Sequence, residues 1–396
     1  MRERASIGRD DATADAITLV TPGFRAVRGG LEAHVSALTK QLAGQGLRVV
    51  VLTARRGITR STVERHDDCW VVTYPAWSVS SMSISPRLVL AAIRTRRSDR
   101  LMHVHGYHST TALALLGRRA PTVFTPHYHG RHGHSWMADL LHVPHYRLSR
   151  WLLRRPAAII CVSEAERRAL IADFPDVADR ISVIPNGIDA AAIRRAHPLP
   201  EQPPTILCVG RLEPYKRIDA VLRAFCDVPA PAQLVIVGDG SQRDELCRLA
   251  IALGLAERVH VVGGLDDAAL HRWLRTARVF VSMSEREAFG MAPVEAACGG
   301  ARIILSDIPA HREIADEFLR QCVTVMTDHS TAALAAEIRR QLAAPRSKGC
   351  QAPDWRDIAT RTVGVYRTSG VELVTPRGAN GHRLSAQSLL FEGLGT

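Results

Sequence analysis

Residues 205–225 read TILCVGRLEPYKRIDAVLRAF, an apolar run followed by a polar loop and an amphipathic segment. The run at residues 205–209 consists of small and aliphatic side chains, which predicts a buried strand. Apolar residues recur with the helical period in residues 218–225, which predicts a helix. A strand and a helix joined in this way form the repeating unit of a parallel sheet covered by helices.

The same alternation extends in both directions along the chain. Strand-like runs lie at residues 16–21, 49–53, 70–74, 101–105, 122–125 and 158–162, and then at residues 233–237, 259–262, 279–282 and 301–305. Helical patterns lie between them at residues 31–45, 164–172, 241–253 and 268–276. The pattern predicts an α/β protein with two Rossmann-like domains.

A proline-rich stretch separates the two halves. Residues 189–204 carry prolines at positions 198, 200, 203 and 204, and proline disfavours both helix and central strand, so we expect a linker here. Two such domains enclose a cleft, and ligands of parallel sheets bind at the carboxyl ends of the strands. The residues that carry chemistry should therefore lie in loops that follow strands.

Bulk composition narrows the function classes. A chain of 396 residues with 46% hydrophobic residues has enough apolar material for two cores. No apolar run reaches the roughly 18 residues of a membrane span, and the polar start is unlike a secretory signal, so we expect a cytoplasmic protein. Eight scattered cysteines without a C-x-x-C pair indicate neither a zinc ribbon nor a disulfide framework. The net charge of +12 suits anionic partners.

Three clusters follow predicted strands. In TPGFRAVRGGLEAH, residues 21–34, Gly29 and Gly30 precede a helix whose first amides could approach a phosphate. In CVGRLEPYKR, residues 208–217, Arg211 and Lys216 could hold a diphosphate, the first through a bidentate fork and the second as a point charge. Either cluster alone is also compatible with an ordinary helix start or a solvated basic loop.

The third cluster is SEREAFGMAPVEAACGG, residues 284–300. Glu287 lies on a loop, and Glu295 lies inside the helix that the proline at position 293 helps to begin. One carboxylate could bind hydroxyls of a sugar and the other a ribose diol, and the amides around Gly290 and Met291 could form a second anion site. By spacing alone, two glutamates are more often surface charges.

Taken in order, these motifs resemble the family-4 retaining glycosyltransferases of the GT-B fold over most of residues 16–369. The marks are E-x7-E at residues 287–295, G-R-x4-K at 210–216 and G-G-x-E-x-H at 29–34, supported by FTPHYHG at 124–130, CVSEAE at 161–166, VIPNGID at 183–189 and LVIVGDG at 234–240. The resemblance implies two Rossmann-like domains facing each other across a cleft. The implied division is an N-terminal domain at 1–190, a linker at 191–204, a C-terminal domain at 205–354, a helix at about 355–369 that returns to the first domain, and a disordered tail at 370–396.

The resemblance also implies roles for matching residues. Glu287 and His127 are the expected catalytic residues, with Glu287 on the sugar hydroxyls and His127 beside the transferred sugar. The expected donor-binding residues are Gly29, Gly30, Arg211, Lys216, Gly264, Leu265, Phe289, Gly290, Met291 and Glu295. Glu295 would bind the ribose, and main chain at 264–265 would contact the base. The donor would be a UDP- or GDP-linked sugar, with no cofactor and no metal.

Three departures from the family pattern concern the sugar specificity. Ala288 replaces a glycine, Arg302 replaces a common proline, and DIPAHRE at residues 307–313 stands where many members carry a Gly-Gly loop. None of these changes removes a charge that the chemistry needs.

Several features leave alternatives open. His103, His105 and His108 form one group of histidines, and residues 127, 129, 132 and 134 form another; such groups can bind zinc, copper or nickel, although no cysteine or carboxylate cluster accompanies them. The basic apolar stretches 87–100 and 145–155 are either ordinary domain helices or helices that contact an anionic membrane at its inner face.

Other function classes are less consistent with the sequence. A nucleotide-sugar sensor on the same fold is the main alternative, although such a scaffold would not need both glutamates, Arg211 and Lys216 together. A dehydrogenase is disfavoured because no G-x-G-x-x-G turn follows the first strand, and nucleic-acid binding rests on the pI alone. The expected partners are the donor and an unidentified sugar, lipid-linked or small-molecule acceptor.

Overall fold

The computed structural model describes residues 16–24, 29–66, 68–79, 82–94, 101–117, 121–130, 146–200 and 202–370. The predicted disordered tail at residues 370–396 lies outside these ranges apart from residue 370, as do residues 1–15 and the histidines at positions 132 and 134. Within the described ranges, no helix combines the length and the apolar character that crossing a bilayer requires.

The first sheet is built from residues between 16 and 183. Its strands are β1 Ala16–Val20, β2 Arg48–Arg56, β3 Thr62–Arg65, β4 Trp70–Val79, β5 Met82–Ile84, β6 Met102–His105, β7 Thr122–Thr125, β8 Ala158–Cys161 and β9 Ile181–Val183. The order is β3-β4-β2-β1-β6-β7-β8-β9, and β5 pairs with β4. Strands β3 and β5 are antiparallel to β4, and the other described pairs are parallel.

The second sheet is parallel and lies between residues 205 and 326. Its strands are β10 Thr205–Val209, β11 Gln233–Val237, β12 Val259–Gly263, β13 Val279–Ser282, β14 Arg302–Ser306 and β15 Val323–Met326, in the order β12-β11-β10-β13-β14-β15. The order reverses direction at β10, so the loops that follow β10 and β13 lie side by side at the edge where ligands of such sheets bind.

Helices cover both sheets. They are α1 Gly30–Gly44, α2 Pro86–Arg94, α3 Glu164–Asp173, α4 Ala190–Arg195, α5 Ile218–Phe225, α6 Arg243–Ala252, α7 Asp267–Thr276, α8 Met291–Cys298, α9 Pro309–Ile314, α10 Thr331–Ala343 and α11 Trp355–Thr368. Residues 146–153 are also helical. The two Rossmann-like α/β domains expected from the sequence are confirmed.

Helix α11 returns to the first domain. Trp355, Ile358 and Tyr366 are buried in one core with Ile17 and Leu19 of β1. Burying a large apolar side chain contributes about 1.5–3 kcal/mol, so several such residues fix the end of the described chain against the first sheet. The chain therefore crosses between the two domains twice.

The predicted linker is only partly irregular. Asp189 caps α4 by accepting a hydrogen bond from the amide of Ala192 at 2.9 Å, and α4 packs against α7 and α8 of the second domain. The prolines lie beyond the end of this helix, so they do not prevent it. The predicted linker at residues 191–204 therefore includes helical residues, and its irregular stretch begins after α4.

Four strands, β3, β5, β9 and β15, have no counterpart among the strands predicted from the sequence. They are short, with three or four residues each, and the described sheet orders place β3, β9 and β15 at edges. Strand β3 is polar and mostly exposed, with the sequence TVER. An edge strand that is open to solvent needs no continuous apolar run, so the signal on which the prediction depended is absent.

One glycine is required by the close approach of two loops. A Cβ built on Gly238 would lie less than 2 Å from the main-chain oxygen of Gly210, and Gly238 has a φ of +138°. No other residue type fits both conditions. Glycine at the end of β11 therefore lets its loop pack directly against the loop after β10, which carries Arg211 and Lys216.

Candidate active site

Lys216 and Glu287 form an ion pair at the carboxyl edge of the second sheet. Lys216 ends the short turn that follows β10, and Glu287 lies in the loop between β13 and α8. Lys216 Nζ lies 2.5 Å from Glu287 Oε1, and each side chain is 17% exposed. Ser284 Oγ donates to the same oxygen at 2.9 Å. The structure thus brings two predicted site residues together, although 71 positions separate them.

Charge keeps the Glu287 carboxylate ionised. Burial alone would raise the pKa of Glu287, but the charges of Lys216 and His311 and the hydrogen bonds from Lys216 and Ser284 together lower it. His311 lies in α9 and is fully buried, with Nδ1 3.0 Å from the main-chain oxygen of Ser306. Glu287 is therefore an anion whose oxygen is held in place before any ligand binds.

Arg211 lies where the two domains meet. Its Nη2 donates to the hydroxyl of Tyr215 at 2.8 Å, and a Cβ built on Gly29 would lie 3.7 Å from Arg211 Cδ. Burial raises the pKa of Glu32, in the first turn of α1, while its own backbone hydrogen bond and Arg211 act in the opposite direction. The structure therefore places Arg211 beside Gly29, at the start of α1.

Two helices begin at this cleft, α1 and α8. Their N-cap residues, Gly29 and Gly290, provide no capping side chain, so the first amides of each helix depend on other partners. Gly290 has a φ of +99°, and a Cβ there would lie 3.1 Å from Ile314 Cδ1. The left-handed turn before α8 therefore requires glycine, which also keeps the helix N-terminus open to an anion.

Glu295 differs from Glu287 in its surroundings. Burial, reinforced by the negative charge of Asp267, raises the pKa of Glu295 to about 7. No group of the described residues donates a hydrogen bond to the Glu295 carboxyl group. A half-buried carboxyl group without a donor is suited to accept hydrogen bonds from a ligand diol.

The remaining predicted donor-binding residues, Phe289, Met291, Gly264 and Leu265, could contact a donor mainly through their main chains. The Phe289 side chain is buried in the second-domain core, so only its main chain can face a ligand. Met291 packs against apolar cores of both domains. The Gly264 amide already donates to Asp239 Oδ2 at 2.8 Å, which leaves carbonyl oxygens at positions 264–265 for a base.

His127 lies in the loop after β7, within a group of histidines. Its backbone is left-handed, with a φ of +49°, a conformation that is uncommon outside glycine. The ring of His127 lies 5.1 Å from that of His34 and 5.8 Å from that of His105. Burial, together with neighbouring imidazoles, lowers the pKa of His127 and of His105 well below the usual range, so both are neutral at pH 7.

Direct contacts join the two domains beside these residues. Ser163, the N-cap of α3, donates from Oγ to the main-chain oxygen of Ala288 at 2.6 Å. Glu313 of the second domain accepts from the amides of Glu164 and Ala165, each at 2.7 Å. The loop that carries Glu287 is thereby attached to the first helix turn of the opposite domain.

His311, Glu313 and Ser163 were not among the predicted site residues. His311 and Glu313 belong to the DIPAHRE stretch at 307–313, which the sequence marks only as a departure from the family pattern. A polar stretch that follows strand β14 meets the same criterion as the predicted clusters, and applying that criterion consistently would have identified it.

Two family models match this sequence. Residues 189–351 match "Glycosyl transferases group 1", and residues 28–192 match "Glycosyltransferase Family 4". The two matches meet at about residue 190, where the chain passes from the first sheet toward the second.

Full-length relatives agree with these matches. Glycogen synthase from Mycobacterium tuberculosis (strain ATCC 25618 / H37Rv) is 29% identical over 384 residues, which cover 86% of this chain and 91% of that protein. One subunit of the phosphatidylinositol N-acetylglucosaminyltransferase of Homo sapiens is 25% identical over 383 residues, covering 91% of this chain and 77% of that protein. HepE from Anabaena, solved in complex with UDP and glucose, has a TM-score of 0.62 and 19% identity, covering 89% of this chain and 96% of that one.

Proposed function

The chain belongs to the family-4 glycosyltransferases with the GT-B fold, and on this premise we propose that it transfers a hexose from a UDP- or GDP-sugar to a polysaccharide or glycolipid intermediate, with retention of the anomeric configuration. The observation that carries the proposal is the convergence of Lys216, Arg211 and Glu287 with the N-termini of α1 and α8 at one cleft.

The cationic groups match the charge that develops on the leaving group. When the bond to the sugar breaks, negative charge accumulates on the β-phosphate of the nucleoside diphosphate. Arg211, Lys216 and helix amides that are already positioned would stabilise this charge without having to reorganise. The complex of HepE with UDP and glucose, on the same fold, supports a nucleotide-sugar donor.

The two motif glutamates suit different parts of the donor. Glu287 is ionised and fixed by Lys216, so it would accept hydrogen bonds from hydroxyls of the transferred hexose. Glu295 lacks a donor within the described chain and would accept from the ribose diol. His127 would lie beside the hexose, and carbonyl oxygens at positions 264–265 would face the base.

The surroundings of Glu287 favour front-side attack by the acceptor as the route to retention of the anomeric configuration. Glu287 is a poor candidate for a covalent nucleophile because one of its oxygens is held by both Lys216 and Ser284, and its pKa is lowered. The departing phosphate would instead help to deprotonate the acceptor hydroxyl as that hydroxyl attacks from the same face. Glu287 then orients the sugar and does not react with it.

A membrane-bound acceptor would explain one exposed apolar surface. In the helical segment 146–153, Leu148 is 41% and Trp151 is 45% exposed, although Arg150 and Arg154 both bind Asp176 and are partly neutralised. We expect the protein to sediment with vesicles that contain anionic lipid and the L148S/W151S variant to remain in the supernatant. Equal sedimentation of both proteins would exclude this helix as the contact.

A donor screen followed by a transfer assay tests the proposal. UDP-, GDP- and ADP-sugars are compared by thermal shift, since a ligand at a hundred times its Kd adds about 2.7 kcal/mol of stability. The stabilising donor is then incubated with glycan and glycolipid acceptors, and release of the nucleoside diphosphate is measured. Stabilisation without release for any acceptor would favour the alternative, a nucleotide-sugar sensor on the same fold.

A further inference from the structure

A cavity of about 1030 Å³ opens at the cleft between the two domains. His108 and His129, in the loops that follow β6 and β7, line it from the first domain, and Tyr215 and Arg286 line it from the second. Pockets that hold small molecules usually measure roughly 300–1,000 Å³, so this cavity has room for a ligand larger than a single sugar. The roles proposed for the donor-binding residues leave most of it without an occupant.

Tyr215 lies between the donor-binding groups and this cavity. Its hydroxyl accepts a hydrogen bond from Arg211 Nη2 at 2.8 Å, and Lys216 Nζ lies 5.5 Å from the centroid of its ring. The guanidinium carbon of Arg286 lies 4.5 Å from the same centroid. Arg211 and Arg286 line the cavity, whereas Lys216 and Glu287 do not. The cavity therefore begins beside the donor site, which is where an acceptor hydroxyl has to lie.

Three of the acidic side chains that line the cavity already have partners in the protein. Glu285 and Asp219 lie 3.0 Å and 3.4 Å from nitrogens of Arg217. Glu213 accepts a hydrogen bond from the hydroxyl of Ser241 at 2.7 Å. The charge of two of these carboxylates is therefore shared with one arginine, and the third carboxylate already accepts a hydrogen bond.

Two arginines that line the cavity lack a carboxylate partner. Arg223 lies in the last turn of α5 and Arg248 lies on α6, and the two helices pack against each other. Within the described part of the chain, no carboxylate oxygen lies within 4.0 Å of either guanidinium group, although Glu245 lies one turn before Arg248. A guanidinium group donates through a planar fork that matches the oxygens of a phosphate. The space between α5 and α6 is therefore suited to a phosphate group.

We propose that the acceptor binds in this cavity and carries a phosphate group, which Arg223 and Arg248 bind. The proposal rests on the glycosyl transfer proposed above and specifies its acceptor, whose phosphate belongs either to a lipid head group or to a soluble sugar phosphate. The phosphate would lie between α5 and α6, and the attacking hydroxyl would lie beside Tyr215. The net charge of +12 also favours an anionic ligand.

The acceptor phosphate takes no part in the bond changes. An acceptor hydroxyl oxygen forms a bond to the anomeric carbon while the bond from that carbon to the β-phosphate breaks, and the hydroxyl proton passes to the departing nucleoside diphosphate. The acceptor phosphate stays intact, so its binding serves to position the hydroxyl. Loss of the two arginines should therefore raise the KM for the acceptor and leave the KM for the donor unchanged.

Binding of inorganic phosphate tests the site without turnover. The full chain is saturated with the nucleoside diphosphate that stabilises it, which fills the donor diphosphate site, and phosphate is titrated by calorimetry. We expect saturable binding of one phosphate per chain, weakened at least about tenfold in R223Q/R248Q, because glutamine lacks the charged fork. R272Q changes an exposed arginine of α7 that does not line the cavity, and it should bind phosphate as wild type does. Equal affinity in R223Q/R248Q and wild type would overturn the phosphate site.

Matched acceptors test the acceptor class and the source of the phosphate. Glucose 6-phosphate is compared with glucose, and phosphatidylinositol in detergent micelles is compared with glucosyl diacylglycerol, by release of the nucleoside diphosphate. We expect transfer to the phosphorylated member of one pair, with its KM raised at least about tenfold in R223Q/R248Q. Transfer to the unphosphorylated member with an equal kcat/KM would overturn the acceptor class. Phosphate binding without transfer to any acceptor would count against the glycosyl transfer and not against the phosphate site.

Discussion

The second-domain face of the cleft holds charges that are matched within the protein, whereas the first-domain face holds neutral imidazoles with nitrogens that no described residue pairs. On the second face, Lys216 and Ser284 both donate to Oε1 of Glu287, at 2.5 Å and 2.9 Å. On the first face, His105 and His127 keep buried nitrogens without a described partner.

This difference indicates what each face requires from a ligand. A matched ion pair is positioned before the substrate arrives, so the ligand gains electrostatic stabilisation with little reorganisation. Unpaired buried nitrogens cost free energy in the unliganded protein, which is recovered only when a further group binds. Removing a charge from the second face should therefore weaken its stabilisation of a ligand. The stability of the first face should depend on whether a ligand is bound.

The largest expected effect is on transfer by E287Q. Glutamine keeps the shape but removes the anion that orients the hexose and balances Lys216. We expect the single-turnover rate at saturating donor to fall on the order of 10²–10³-fold, as for loss of one preorganised polar group in other active sites. E285Q is the matched control, because Glu285 is exposed and pairs with Arg217 at 3.0 Å. Equal rates in E287Q and wild type would remove Glu287 from the site.

The next effect concerns the stability of the matched pair. K216M leaves the Glu287 carboxylate without its cation, which should cost about 1.5–3 kcal/mol of unfolding free energy, with the residual exposure of both groups limiting the loss. The double variant K216M/E287Q should recover most of that stability but none of the transfer activity. Additive losses in denaturant unfolding would show that the pair is not coupled.

The sequence predicts features that depend on neighbouring residues, and it does not predict contacts between residues that are far apart in the chain. The second-domain strands β10, β11 and β13 match their predicted bounds, because buried parallel strands are continuous apolar runs. Lys216 and Glu287 could be proposed because each follows a strand. The bonds between Asn186 and His34, or between Glu313 and Glu164, join positions about 150 residues apart, and no local pattern reports such contacts.

The histidines show the same limit more clearly. In the sequence, His105 groups with His103 and His108 because they are close in the chain. Residues 103 and 105 are both buried, but His103 has two hydrogen-bond partners, whereas His105 has none within the part of the chain that the structure describes. His34 was not grouped with them, because it is distant in the chain and its ring comes within 5.5 Å of that of His105 only in the folded domain. The absence of a metal therefore stays an untested prediction.

A smaller effect is expected in the pH dependence of donor binding. Glu295 has a pKa of about 7, so it is mostly protonated at pH 6 and mostly ionised at pH 8. An ionised carboxylate accepts two ribose hydrogen bonds more strongly, so nucleotide-sugar affinity should rise up to about tenfold from pH 6 to pH 8. Calorimetry with E295Q should show weaker binding that is independent of pH in this range.

Glu295 should have the opposite effect on the stability of the protein without donor, which should fall as the pH rises. Because its pKa is raised on folding, Glu295 binds more protons in the native state than in the unfolded state between about pH 4.5 and pH 7. Its contribution to stability is thus lost as the pH rises through that window. E295Q should then be more stable than wild type at pH 8 in the absence of donor, and lower stability would contradict the raised pKa.

The smallest effect tests whether the two faces are held together. Glu313 caps α3 of the opposite domain, while Ser163 also caps that helix by accepting from the amide of Glu166. E313Q should cost only about 0.5–2 kcal/mol of stability, because one of two caps remains, and should raise the KM for the donor more than it lowers kcat. E317Q, at an exposed position on the same segment, is the control. If E313Q matches E317Q in both stability and KM, the two faces are not joined by this contact in solution, and the matched charges of the second domain must act without support from the first.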